Sequence, residues 1–214
     1  MSGDSIPKTL DAIRDLYQGN LAEHGVTSKS VGWRDETSQE LRFERLARLI
    51  DPAGSAFTVN DWGCGYGAMF GHLDRVHGAR MSGYTGYDIS TEMLDAARRR
   101  CDPSRARFVH GPDVTEEADY TFVSGTFNVK LKASDADWDA YVKRQLTAMF
   151  ARSRRGLAFN LLTTYVDWKA DDLFYADPRD FFDFCKTRLS RYVTLHHDYA
   201  LFEWTIALSR DPRP

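Results

Sequence analysis

Cysteine is scarce: Cys64, Cys101 and Cys185 are the only three, far apart in the chain. An odd number with no framework excludes a disulfide scaffold, and the spacing excludes a cysteine-built metal site, so the expected compartment is reducing. No stretch approaches the ~20 consecutive apolar residues that a membrane-spanning helix needs. The N-terminus has no apolar signal core, and the chain is expected to be cytoplasmic, with no membrane partner. A dense block of one charge is also missing. The formal net charge is −3 and the pI about 6.1. Arg98-Arg99-Arg100 and Arg152-Ser153-Arg154-Arg155 are the only basic clusters. Each falls near the end of a predicted helix, where cations complement the macrodipole, so no nucleic-acid partner is expected.

What is present is enough for one core. The chain has 214 residues, 43% hydrophobic and 13% aromatic, which suits a single compact domain and excludes long disorder. Its organising stretch is Thr58-Val59-Asn60-Asp61-Trp62-Gly63-Cys64-Gly65-Tyr66-Gly67-Ala68. A short buried strand runs into a glycine-rich turn that opens a helix. The glycines let the backbone turn tightly and come close to a ligand. Gly63, Gly65 and Ala68 satisfy the loose dinucleotide fingerprint. Asp61, however, stands just before the first glycine, where it would repel a pyrophosphate but attract a cation.

A second acid follows. Met81 to Asp88 reads as the next strand, ending in a carboxylate that can accept both hydroxyls of a ribose at the edge of an open α/β sheet. The interval from Asp61 to Asp88 exceeds the roughly 20 residues of a compact dinucleotide unit, so the helix between them, or its exit, is predicted to be extended. Ser90 is placed as an N-cap with Met93 at the N3 position.

Asp61-x-Gly63-x-Gly65-x-Gly67 with Asp88 resembles the signature of class I S-adenosylmethionine (SAM) methyltransferases, and the resemblance spans nearly the whole chain. It implies SAM as cofactor, with Asp61, Gly63, Cys64, Gly65 and Gly67 around its methionine end and Asp88 on its ribose. By position, Ile89 and Met93 inherit the sides of the adenine ring, Asp113 its amino group, and Val114 a place near the ring. Ser124, in the fourth strand and its exit over 118–128, borders the methionine portion. Trp33, Gln39 and Arg42 belong to a helical N-terminal segment that is expected to lie across the cofactor site. The domain division is therefore 1–54 for that segment and 55–214 for the core.

The expected fold is an α/β, doubly wound, Rossmann-like sheet of seven strands, mostly parallel, with a C-terminal antiparallel hairpin. In chain order the pattern predicts a tail over 1–7 and a helix from Leu10 to Tyr17, stopped by Gly19-Asn20. A second helix is capped by Thr37 or Ser38 and ended by 51–54. Helices follow over 68–77 and 134–152, the latter stopped by Arg155-Gly156, with strands over 106–110 and 157–162. Pro178 opens a helix continuing from Arg179 to Arg188. Residues 192–198 and 200–208 alternate as two strands with a short link at Asp198-Tyr199.

The exit of the fourth strand lacks the Asn/Asp-Pro-Pro-Tyr run of enzymes that methylate the exocyclic amines of bases. It also lacks the Pro-Cys pair used on cytosine carbon, so the expected acceptor is a small molecule. Phe127, Asn128, Tyr165 and Tyr175 are its candidate contacts, with the aromatic loop over 163–177 as the acceptor pocket. His197 and Asp198 are the candidates for a base if the acceptor is a hydroxyl or carboxylic acid. Two other readings stand beside this one. A nicotinamide-dependent oxidoreductase would use the same turn, but Asp61 and the terminal hairpin argue against it. A binding protein that keeps the fold without turnover is the other.

Overall fold

The computed structural model describes residues 6–212. Of the predicted tail, residues 1–5 lie outside the described residues, whereas Ile6 and Pro7 already belong to the first helix, α1 (Ile6–His24). Gly19-Asn20 does not stop α1. Leu21, just beyond, packs with Tyr17 against a cluster built on Tyr66 and Met93, which carries the helix on. It ends at Gly25, whose φ of +65° suits the left-handed turn and whose amide donates to the Leu21 carbonyl at 2.9 Å.

After a 3₁₀ turn over Ser28–Val31 comes α2 (Glu36–Ala47). Its N-cap is Asp35, not Thr37 or Ser38: the Asp35 backbone is extended and its Oδ1 accepts the Ser38 amide at 2.7 Å. The core then alternates as expected through β1 (Phe57–Trp62), α3 (Ala68–His77), β2 (Met81–Asp88), α4 (Thr91–Arg100) and β3 (Ala106–His110). The long interval between the two acids is taken up by a 3₁₀ turn, Gly78–Arg80, after α3.

Next come β4 (Ala118–Val123) and α5 (Asp135–Ala151), the latter capped by Ser134. β5 (Ser153–Thr163) begins earlier than predicted, so Arg155-Gly156 lies inside a strand and stops no helix. Gly156 is there for contact: a Cβ would meet the Leu208 carbonyl oxygen of a neighbouring strand at 2.3 Å. A two-residue strand, β6 (Tyr175–Ala176), precedes α6 (Pro178–Phe184), which runs on as a π turn through Leu189. β7 (Tyr192–His196) and β8 (Glu203–Ser209) close the chain. Their link spans residues 197–202, longer than the expected turn, and it leaves His197 and Asp198 off the strands.

The sheet order is β3-β2-β1-β4-β5-β8-β7, with β6 paired to β5, giving eight strands where seven were expected. β1 to β5 are parallel, and β8 runs antiparallel to both β5 and β7. Two-residue alternation assigns the faces. Phe57 and Val59 of β1, with Tyr120 and Phe122 of β4, pack against Leu46 of α2 and Leu73 of α3. On the other face Trp62, Phe159, Trp204 and Ile206 pack against Trp138, Leu146 and Met149 of α5 and Phe181 of α6. The chain runs outward from β1 through β2 and β3 on one side and then through β4 and β5 on the other, which puts the C-terminal tip of β1 at the switch point where open α/β sheets bind ligands. Among the described residues, no helix is long and apolar enough to cross a membrane.

Candidate active site

A cavity of about 1020 Å³, mouth included, opens at the C-terminal tips of β1, β2 and β4. Its floor is the glycine turn. Gly63, Gly65 and Gly67 have φ of +75°, +52° and +78°, a region costly for residues with a side chain. Space is closed as well. A Cβ on Gly63 would meet Thr126 Oγ1 at 2.2 Å, and one on Gly67 would meet Cys101 Sγ at 2.8 Å. The amides of Gly63 and Cys64 donate to the Tyr87 carbonyl at 2.8 and 3.0 Å, and that of Gly65 donates to Asp88 Oδ2 at 2.9 Å. These donors are what a pyrophosphate would need, and the protein's own acceptors hold them.

Two carboxylates frame the turn. Asp61 is 2% exposed and accepts the Tyr84 hydroxyl. Burial raises its pKa to about 7, the Tyr84 hydrogen bond opposes that rise, and the nearby charge of Asp88 adds to it. Asp88, on the cavity wall, accepts the Gly65 and Ser90 amides at 2.9 Å each. Burial raises its pKa, while the Ser90 and Gly65 amides pull it back. Burial pushes both carboxyls toward their neutral forms, and a cationic ligand in the cavity would favour their charged forms again. Cys64, also on the wall, has a thiol pushed well above its ordinary value by burial and by the charge of Asp88, so it is no nucleophile.

The roof comes from the N-terminal segment. Leu10, Ile13, Arg14 and Tyr17 of α1 line the cavity with Val31, Trp33, Gln39 and Phe43. Burial and the Asp88 charge raise the Tyr17 phenol to about 12, so it stays a neutral hydroxyl beside the acid. Gln39 Oε1 accepts the Tyr66 hydroxyl at 2.9 Å. On α4, Ser90 Oγ accepts the Met93 amide at 3.2 Å, which fixes the start of the helix and sets Met93 against the cavity beside Ile89. Ser124 lines the β4 side, and its Oγ has no hydrogen-bond partner within the protein.

Trp33, Asp61, Gly63, Cys64, Gly65, Asp88, Ile89, Met93 and Ser124 thus meet on one cavity, with Gly67 shaping the turn beneath. The other predicted residues stand apart. Arg42 lies outside the lining, its guanidinium held by Glu203. Asp113 is exposed and its Oδ1 accepts Gln145 Nε2 at 3.4 Å, while Val114 is core; of that loop only Gly111 reaches the cavity. Phe127 is fully buried behind the wall, its ring 4.9 Å from that of Trp62. Asn128 ties the β4 exit to neighbouring chain: its Oδ1 accepts the Leu162 amide at 3.3 Å, and its carbonyl accepts the Phe174 amide at 2.8 Å.

The Tyr175 hydroxyl accepts the Ala170 amide at 3.3 Å, within its own loop. Tyr165 is 59% exposed and its ring lies tilted against that of His197, ring centres 5.8 Å apart. His197 is exposed, and Asp198 faces Arg45 of α2 at 3.6 Å. None of these side chains lines the cavity. The sequence reading missed the α1 residues Leu10, Ile13 and Tyr17 as lining; their helical spacing was the available signal.

The donor set suits a ligand with one cationic end and one diol. Asp61 and Asp88 both line the cavity, the Ser124 hydroxyl lacks a partner within the protein, and apolar Ile89 and Met93 line it near Asp88. Comparison with known proteins agrees with that arrangement. Residues 59–158 match the family model described as a methyltransferase domain. The Mycobacterium tuberculosis (strain ATCC 25618 / H37Rv) protein named "Putative methyltransferase Rv1506c" is 44% identical over 169 residues, covering 78% of this chain and 98% of that protein.

Among solved structures, magnesium protoporphyrin IX methyltransferase (ChlM) from Synechocystis PCC 6803 with bound SAM superposes at a TM-score of 0.66. It is 13% identical, with 98% of this chain and 99% of that one covered. The plantazolicin methyltransferase BpumL in complex with SAH gives 0.61 at 11% identity, covering 95% and 97%. With a close relative matched along almost its whole length, and a sheet order and turn that agree with the family's fold, this chain belongs to the class I SAM methyltransferase family.

Proposed function

We propose that the cavity holds SAM and that the enzyme moves its methyl group to a hydroxyl, carboxylate or amine of a small metabolite. The observation that carries this reading is the pair of acids, Asp61 and Asp88, on either side of a glycine turn whose amides are already engaged. When bound, SAM supplies an electrophilic methyl on a sulfonium, ready for in-line displacement by a nucleophile. Asp61 would face its cationic methionine end, with the backbone of Gly63 and the hydroxyl of Ser124 close by. Asp88 would accept the ribose hydroxyls, keeping its bonds to the Gly65 and Ser90 amides. Ile89 and Met93 would flank the adenine.

The chain's own contribution is then alignment and exclusion of water by the α1 roof, Trp33 and Tyr17. No proton transfer is assigned to His197 or Asp198, which stand away from the cavity. The acceptor reading rests on the apolar α1 side chains Leu10, Ile13 and Tyr17 over the cavity and on the sequence, which carries a formal net charge of −3. Incubation with methyl-labelled SAM and panels of small acids, alcohols and amines tests it. Label transfer to one of those classes supports the reading, and transfer confined to a nucleic acid or a protein overturns it.

A further inference from the structure

Five groups beside the cavity close a ring. The Gly125 amide donates to Asn160 Oδ1 at 2.8 Å, and the Asn160 side-chain nitrogen donates to Glu203 Oε2. Arg42 Nε lies 2.8 and 3.0 Å from the two Glu203 oxygens, and its Nη2 donates to Oε1 as well. The Trp33 ring covers the guanidinium, 3.7 Å from ring centre to Cζ. Trp33 then returns to the start: a Cβ on Gly125 would sit 2.1 Å from its Cη2. Gly125, at φ +68°, is therefore held by its amide on one side and covered by the indole on the other.

Only part of this ring lines the cavity. Trp33 and Gly125 line the cavity beside Ser124 and Thr126; Asn160, Glu203 and Arg42 do not. Asn160 is 0% and Glu203 1% exposed, and both lie behind the lining rather than in it. The remaining guanidinium nitrogen, Nη1, donates to the Ser38 carbonyl at 2.8 Å, which completes the set. An apolar pair of the same volume would serve stability as well as a buried ion pair does, so charge here calls for another role. A fork of fixed donors that also stacks on an indole orients what it touches.

We propose that Asn160, Glu203 and Arg42 are positioning residues. They lock the Gly125 turn and the Trp33 ring into one wall and so hold the cofactor at its methionine end. This rests on the reading that the cavity binds SAM. The wall sets how long the cofactor stays and how its reacting end is oriented.

The test uses SAM itself with three variants: Asn160→Ala, the double variant Arg42→Met/Glu203→Leu, and the surface control Asp180→Asn. Calorimetry gives affinity, stopped-flow intrinsic fluorescence the dissociation rate, thermal melting the fold, and the Gly125 amide resonance the wall. The double variant is expected to melt near the wild-type temperature yet bind SAM at least tenfold more weakly, mostly through faster dissociation, with the Gly125 resonance shifted. Asp180→Asn is expected to match the wild type. Folded variants with wild-type affinity, dissociation rate and Gly125 resonance overturn the proposal. If the double variant does not fold, Asn160→Ala, which leaves the ion pair in place, decides by the same readouts. A wild type that binds no SAM overturns the cofactor reading and this proposal together, whereas variants that behave like a SAM-binding wild type overturn the positioning role alone.

Discussion

Arg42 Nε lies 2.8 Å from Glu203 Oε1, joining the second helix to the last strand across 161 residues of sequence. The pair is buried on both sides, with side chains 8% and 1% exposed. Removing one partner leaves the other charged, desolvated and unpaired, which costs about 3–5 kcal/mol. Glu203→Ala is therefore expected to lower the unfolding free energy by that amount in urea titrations. A loss under about 1 kcal/mol would mean that Arg42 finds solvent or another partner.

The Asp61 carboxyl, at a pKa of about 7 in the fold, makes stability depend on pH. An unfolded aspartate loses its proton near pH 3.9. Between those values the folded state holds a proton that the unfolded state has released, so this contribution to stability falls as pH rises from about 4 to about 7. Asp61→Asn removes it, because the amide stays neutral and can still accept from Tyr84. The melting temperature of the variant relative to the wild type is expected to climb across that window. A difference that stays flat contradicts the buried, protonated Asp61.

Asp88 and His197 separate the site from its surroundings. Asp88 is at the cavity wall; His197 is exposed on the β7–β8 link. Asp88→Ala is expected to weaken SAM binding by tenfold or more, and His197→Ala to leave it within twofold, both read by calorimetry. Equal losses would displace the ligand from the place assigned to it.

Gly156 tests packing without touching the site. A Cβ there would meet the Leu208 carbonyl oxygen at 2.3 Å and the Leu49 side chain at 3.1 Å, and the backbone oxygen cannot move aside cheaply. Gly156→Ala is expected to cost about 1–3 kcal/mol in denaturant unfolding, as overpacking does, while SAM affinity in the folded protein stays unchanged. A neutral substitution would show that β5 and β8 can part there.

Much of the fold was legible because local signals agree with tertiary packing. The strand over 81–88 and the helix over 68–77 stand where alternation and glycine punctuation put them. Signals failed where a distant contact outvoted a local one. Gly19-Asn20 reads as a stop until Leu21 finds the Tyr66 cluster, and Arg155-Gly156 reads as a helix end although the glycine serves close strand approach. The site shows the same divide. Asp61 and the glycines sit in one motif with fixed spacing, and Asp88 is marked by ending the next strand although the interval before it is extended. Arg42 was readable as a charged residue on the right segment, but its partner lies on the last strand, and nothing local links them. His197 and Asp198 drew attention by chemistry, and a link longer than its turn signal carried them off the strands.

The most direct test of the account is isothermal titration calorimetry of the wild-type protein with SAM and with S-adenosylhomocysteine. Micromolar binding of either, one per chain, is the predicted result. A folded protein that binds neither, or that takes up a nicotinamide cofactor instead, would contradict it.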